Sequence, residues 1–173
     1  MITYSYVEEY IRQWRNGDIT LNKRRIKLIE LIERDILTSE DMYFDEEQIE
    51  SYIQFTEKYY FPLTLTQKFK TCFIFLYYND GSLVFDEHLD YEGRGGGKTG
   101  RISTLANYFI SELHGINNYN VSVVANSEKQ AKMSFTEVFN TIDKDDRLKS
   151  HFHHKKALIE SRITKSEFQY HTS

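Results

Sequence analysis

Cysteine, proline and long apolar runs are nearly missing from this chain, and each shortage closes off a class of protein. A single thiol, Cys72, excludes an intramolecular disulfide and a cysteine-based zinc cluster, which suits a reducing cytoplasm. Its place in TCFIFLYY gives it the expected role of a small buried hydrophobe. The longest apolar run, Phe73 to Tyr78, is far shorter than the ~20 residues that a bilayer span requires. Met1 to Tyr10 has no basic stretch leading into an apolar one, so no export signal is visible. A basic excess is missing too: 22 Lys and Arg stand against 26 Asp and Glu, a formal net charge of -4, and the composition offers no bulk attraction for nucleic acid. A soluble, intracellular protein without a membrane partner is expected.

What is present is apolar and aromatic. Thirteen Tyr, twelve Phe and 40% hydrophobic residues over 173 positions argue against disorder and for a core of domain size. In RRIKLIELIERDIL, Ile26, Ile29 and Ile32 recur at helical spacing, and Leu28 and Leu31 widen the stripe. A second helix is expected over Gln48 to Tyr60 through Ile49, Tyr52, Ile53 and Thr56, after an acidic connector at Asp41 to Glu47. Pro62, the only proline, marks the end of this helical region, because the residue before a proline is pushed out of the α basin. Phe69 to Tyr78 reads as a buried helix or strand, followed by a turn at Asn79, Asp80 and Gly81.

From Leu83 the apolar period changes to two, with Leu83, Phe85, Leu89 and Tyr91 on one side. This predicts a strand running into YEGRGGGKTG at residues 91–100. Gly93, Gly95, Gly96, Gly97 and Gly100 are five of the 8 glycines in the chain. Ile102, Leu105, Ala106, Phe109, Ile110 and Leu113 then predict a helix that starts at the loop and ends near Gly115. NVSVVA, residues 120–125, predicts a buried parallel strand, and Ser127 or Asn126 caps a further helix with Ala131, Phe135 and Val138 inward. The expected architecture is an α/β fold: a parallel sheet with flanking helices behind a helical N-terminal region.

A phosphate-binding loop reads G-x-x-x-x-G-K-S/T between a strand and a helix. Gly97, Lys98 and Thr99 fill its last three places, Glu92 stands at the first-glycine place, and Gly93 comes one place late. A bare G-K-S/T turns up by chance in about one chain of this length in ten, so the tripeptide alone decides little. Its context decides more: glycines let backbone amides turn inward, and the start of a helix favours an anion. Lys98 can place its ammonium between the β and γ phosphates of ATP, and the Thr99 hydroxyl can bind Mg²⁺. Arg94, inside the loop, reads either as a guanidinium facing the γ-phosphate or as a solvated loop arginine.

A catalytic acid is harder to find. Asp86 and Glu87 look like strand-end carboxylates, yet on the expected strand they precede Gly93 by about seven residues. At ~3.3 Å per residue they stand roughly 20 Å from the phosphates. ALIES, residues 157–161, ends in Glu160 without a preceding aspartate. Asp143, Asp145 and Asp146 are expected to be solvated, and so is the HFHH turn carrying His151, His153 and His154. The expectation is a chain that binds ATP without the means to hydrolyse it.

Three ordered stretches resemble the large subunit of tailed-phage terminases: FPLTLTQKF, GRGGGKTG and VVANSEKQAKMSF. The first is similar to the family's adenine-binding segment, which implies that Gln67 contacts the base. The second is similar to its variant phosphate loop, with an early arginine and no first glycine, which implies that Gly93, Gly95, Gly96, Gly97, Lys98 and Thr99 hold the nucleotide and that Arg94 acts on the γ-phosphate. The likeness spans roughly residues 60–142. It implies a P-loop NTPase-type sheet, incomplete at the C-terminus, over 61–173 and a helical region over 1–60. It further implies an ATP-driven motor that packages double-stranded DNA at the procapsid portal in the host cytoplasm, with a small terminase subunit and the portal as partners. The family's acidic strand end, coupling motif and nuclease carboxylates have no counterpart here, and FQYHTS reads as a strand cut mid-domain. An N-terminal portion is therefore implied, with a second chain as one source of the rest. A small phosphotransferase or GTPase and a non-enzymatic docking module are the alternatives; the former calls for a complete acid site and a base-specificity motif, and neither is found.

Overall fold

The computed structural model describes residues 2–93 and 95–172. The chain divides into two compact units, one of Met1–Ile53 with Leu63–Leu89, the other of Gln54–Pro62 with Asp90–Ser173.

The first unit holds α1 (Ser5–Arg15), α2 (Lys23–Leu31), β1 (Met42–Phe44), the start of α3 (Glu46–Tyr59), α4 (Leu65–Cys72) and β2 (Leu76–Tyr78). In α2 and the π-helical turn Ile32–Ile36 that continues it, Ile29, Ile32 and Ile36 are buried, whereas Leu28 and Leu31 stay exposed. The inward stripe is thus narrower than its apolar pattern. Helix α3 forms where expected, with Ile49, Tyr52, Ile53 and Thr56 buried and the Asp45 carboxylate accepting from the Gln48 amide at its start (3.0 Å). Phe69 to Tyr78 turns out to be both of its readings in succession, helix α4 and strand β2, the latter antiparallel to β1. Aromatic contacts bind these elements: Tyr10 stacks on Phe69 at 4.2 Å, and Phe73 meets the edges of Phe69 and Phe44 at 5.0 and 5.9 Å.

The expected strand over 83–91 does not form. Leu83 makes one bridge to Tyr77 and the Val84 amide reaches the Leu76 carbonyl (3.1 Å), but residues 85–92 belong to no ladder among the described residues. Alternation favours a strand only where a neighbour completes its hydrogen bonds; Leu89 and Tyr91 are instead 94% and 96% exposed.

The second unit contains α5 (Lys98–Ile110), β3 (Val121–Ala125), α6 (Glu128–Lys144), α7 (Asp146–His151), β4 (Phe152–Lys155), β5 (Leu158–Ser161) and β6 (Glu167–Thr172). The sheet order is β3-β6-β5-β4, with β3 and β6 parallel and the other two pairs antiparallel. The expectation of a parallel sheet is corrected to a mixed one. The cause is local: β4, β5 and β6 are joined by connections far too short for a parallel crossover. HFHH accordingly lies largely in β4 rather than in a solvated turn; the His154 ring stands edge-on to Phe139 (4.7 Å), and its Nε2 is 3.5 Å from Asp143. Strand β3 is parallel as expected but lies at the sheet's edge, with Val124 63% exposed. Ser127 caps α6, whose Ala131, Phe135, Val138 and Ile142 are buried, and Phe135 packs on Phe168 and Tyr170 at 5.5 and 5.1 Å.

The Cys72 thiol is buried and donates to the Lys68 carbonyl (3.2 Å), and desolvation pushes its pKa up to about 12. It is therefore expected to resist an aromatic disulfide reagent at pH 8 in the native chain and to react at once in denaturant, where the pKa returns to the ordinary thiol range; absorbance at the released thiolate checks this.

Candidate functional site

The glycine loop passes directly into α5. Gly97 is the helix N-cap at φ 83°, and Gly95 has φ 82°, both in the left-handed region where a Cβ is disfavoured. Gly97 brings no side chain to cap the helix, and the first internal bond runs from the Arg101 amide to its carbonyl (3.0 Å). The amides of Lys98, Thr99 and Gly100 therefore have no acceptor within the helix, and the positive end of the helix dipole faces the loop.

The loop is coiled tightly on itself. The Gly96 amide donates to the Gly93 carbonyl (3.2 Å), and a Cβ on Gly96 would stand 3.0 Å from Glu92 Oε2. The Lys98 ammonium folds back across the loop and donates to the carbonyls of Glu92 and Gly93, the latter at 3.4 Å. Arg101, with only 12% of its side chain exposed, places Nη1 3.4 Å from Asp90 Oδ2 and so ties the residue before the loop to the first turn after it.

The inward face of helix α5 is rotated from the one its apolar residues suggest, keeping Ala106 and Ile110 but adding polar residues. Ser103, Thr104, Ala106, Asn107, Tyr108 and Ile110 are buried, while Ile102 is 44% exposed. Small residues allow close approach: a Cβ on Gly100 would lie 2.9 Å from Phe61 Cε1, and Ser103 Oγ donates to Glu137 Oε2 on α6 (2.7 Å). The helix ends at Ile110 rather than near Gly115, with the Ser111 hydroxyl bonded back to the Tyr108 carbonyl (2.6 Å).

The loop lies at the carboxyl edge of β3 and β6. The far end of α5 is fixed at the opposite edge, where Thr164, just before β6, donates to the Ile110 carbonyl (2.9 Å). At its near end, Thr99 lines a cleft of about 630 Å³ with Glu128, Lys129 and Lys132 from the start of α6, which follows β3. Ligands of α/β proteins collect at this edge. A second cleft of about 640 Å³ shares Met133, Thr136 and Glu137 with the first and is walled by Tyr59, Tyr60 and Phe61.

Of the residues expected to hold a nucleotide, Gly93, Gly95, Gly96, Gly97, Lys98 and Thr99 are brought together in this loop. Arg94 lies outside the described residues. Gln67 belongs to the first unit, where its side-chain oxygen accepts from the Thr64 amide (2.9 Å) and completes a capping box at the start of α4. Among the described residues, no three His, Cys, Asp or Glu side chains are grouped to hold a metal ion. Neither parallel strand ends in a carboxylate: β3 ends at Ala125 and β6 at Thr172. Glu160, on β5, points to the opposite end of the sheet, because β5 runs antiparallel to β6, where it pairs with Glu167 across the ladder and approaches Lys165 (4.0 Å). Asp145 caps α7 through the amides of Arg147 and Leu148 (3.0 Å each), and the ammonium of Lys149 and the His154 ring hold the Asp143 carboxyl below its ordinary range.

Asp90, Arg101 and Glu137 are not singled out by the sequence. For Arg101 the only signal is spacing: it lies one turn beyond Gly97.

A mixed α/β sheet with flanking helices, and a glycine loop opening the first of them at the carboxyl edge, define the class of fold. Among solved structures, the fold matches that of the HK97 bacteriophage large terminase, with a TM-score of 0.62 and 19% sequence identity, over 72% of this chain and 27% of that one. The chain thus spans about a quarter of the terminase it matches, and at this identity the likeness is one of fold. No family profile and no curated protein matches the chain. Among the described residues, no helix is long and apolar enough to cross a membrane.

Gly97→Ala is expected to lower stability by about 1–2 kcal/mol, the cost of a Cβ in left-handed backbone. Gly93→Ala, where a Cβ meets nothing within 4 Å, is expected to change it by less than about 0.5 kcal/mol. Urea unfolding of the two variants side by side checks the difference.

Proposed function

We propose that this chain is the ATP-binding part of a phage DNA-packaging motor, a portion of a terminase large subunit. The observation that carries the proposal is Lys98 folded over a glycine loop at the uncapped start of α5, in a chain that shares its fold with a phage large terminase. The residues fit the ligand: two left-handed glycines, a third that a Cβ would crowd, free helix amides and a lysine already held by loop carbonyls form a cradle for phosphate oxygens.

In this reading the amides of Gly95 and Gly97 and the start of α5 hold the phosphates, joined by the Gly96 amide when it leaves the Gly93 carbonyl. Lys98 leaves the carbonyls of Glu92 and Gly93 to neutralise the β and γ oxygens. Thr99, on the wall of the adjoining cleft, holds Mg²⁺. As the resemblance implies, Gln67 contacts the base and Arg94 faces the γ-phosphate. Bound ATP supplies the phosphoanhydride whose hydrolysis moves double-stranded DNA in the complete motor, at the procapsid portal in the host cytoplasm, with the small subunit and the portal as partners. A carboxylate at the end of β3 or β6 would be needed to orient water, and both ends lack one. Hydrolysis by this chain alone is expected to be negligible in this reading, with a second chain as one source of the acid.

Saturating Mg-ATP is expected to raise the unfolding temperature, since ligand at a hundred times Kd contributes about 2.7 kcal/mol, and Lys98→Ala is expected to abolish the rise. No rise in the wild type, or an equal rise in the variant, removes the reading. Phosphate release from ATP by the purified chain is expected to stay at the level of the Lys98→Ala control.

A further inference from the structure

Glu92 occupies the place where a phosphate loop ordinarily begins with glycine, and both ends of the residue are in use. Its carbonyl accepts from the Lys98 ammonium, and its side chain lies along the open side of Gly96, with Oε2 3.0 Å and Cβ 3.2 Å from where a Cβ on Gly96 would stand. The loop thus carries its own anion, next to amides and an ammonium arranged for a foreign one.

We infer that Glu92 is an internal competitor of the phosphates: its carboxylate must swing off Gly96, and its carbonyl must give up Lys98, before a polyphosphate can settle on α5. The inference rests on the nucleotide-binding reading of the loop. A glycine at this position would remove the first step, while its carbonyl could still hold Lys98. Two negative groups about 5 Å apart in a solvated loop repel by an amount worth on the order of a tenfold loss of affinity, and the effect is screened by salt because the loop is exposed. The residue therefore keeps the loop's hold on nucleotide loose, which favours exchange of one nucleotide for the next over tight retention.

Calorimetric titration of the full chain with Mg-ATP tests the inference in the wild type, Glu92→Gln, Glu92→Gly and Lys98→Ala, each at about 0.05 and 0.5 M salt. Glu92→Gln keeps the size of the side chain and removes only its charge. The expected result is binding about tenfold tighter in Glu92→Gln than in the wild type at low salt, with the ratio falling towards one at high salt. Glu92→Gly, which also restores the leading glycine, is expected to gain at least as much and stands in if the glutamine variant proves unfolded by circular dichroism. Equal or weaker binding in the folded variant, or a gain that salt leaves unchanged, overturns the inference. If the wild type binds and Lys98→Ala does not, that failure leaves the nucleotide-binding reading intact. If wild type and both Glu92 variants fail to bind, both fall together. Binding by Glu92→Gln alone supports both.

Discussion

Everything about the candidate site depends on how closely α5 can lie against its neighbours in the second unit. Gly100 leaves no room for a Cβ beside Phe61, and Ser103 reaches Glu137 because neither residue holds the helices apart. That contact fixes where the first turn of α5 sits, and the first turn is what carries the amides and Lys98. Thr164 fixes the other end through the Ile110 carbonyl. The helix is pinned at both ends, and the loop inherits its position at the carboxyl edge of β3 and β6 from that pinning rather than from a strand of its own.

The absent strand gives the loop its character. A glycine loop that opens a helix in an α/β fold normally receives its rigidity from the strand before it; here residues 85–92 join no ladder among the described residues, and the Asp90–Arg101 pair bridges the loop's two sides. A largely desolvated guanidinium needs its carboxylate, because removing one member of such a pair leaves the other buried and uncompensated. The loop's geometry is therefore determined by its own close contacts: Gly96 on Glu92, Lys98 on two carbonyls, Arg101 on Asp90.

The sequence made the loop, its following helix and the second helix legible because each carries a signal written in adjacent residues: glycines at left-handed positions, Ser127 as cap, Ala131, Phe135 and Val138 at helical spacing. The start of α3 was legible for the same reason; Pro62 follows the end of α3 but not the end of the helical region, since α4 comes after it. What was not legible depends on partners distant in the chain. Strand formation over 83–91 requires a neighbour that alternation cannot reveal, and the mixed sheet follows from two short connections that a list of strands does not order. The inward face of α5 was legible only in part, through Ala106 and Ile110, because close packing also selects small and polar residues such as Ser103, Asn107 and Gly100. Asp90, Arg101 and Glu137 escaped because each is defined by its partner.

The four-stranded sheet has two unlike rims. One is β4, which pairs with β5 through His153, His154 and Lys155 and carries the charged lysine at its end. The other is β3, VSVVA, which offers its unpaired backbone with no charged side chain and Val124 outward. An uncharged, β-branched rim is a template for any extended segment that meets it, whereas a basic one repels its own copies. Among the described residues, β3 is therefore the rim whose side chains offer the least resistance to a further strand, and it lies beside the glycine loop.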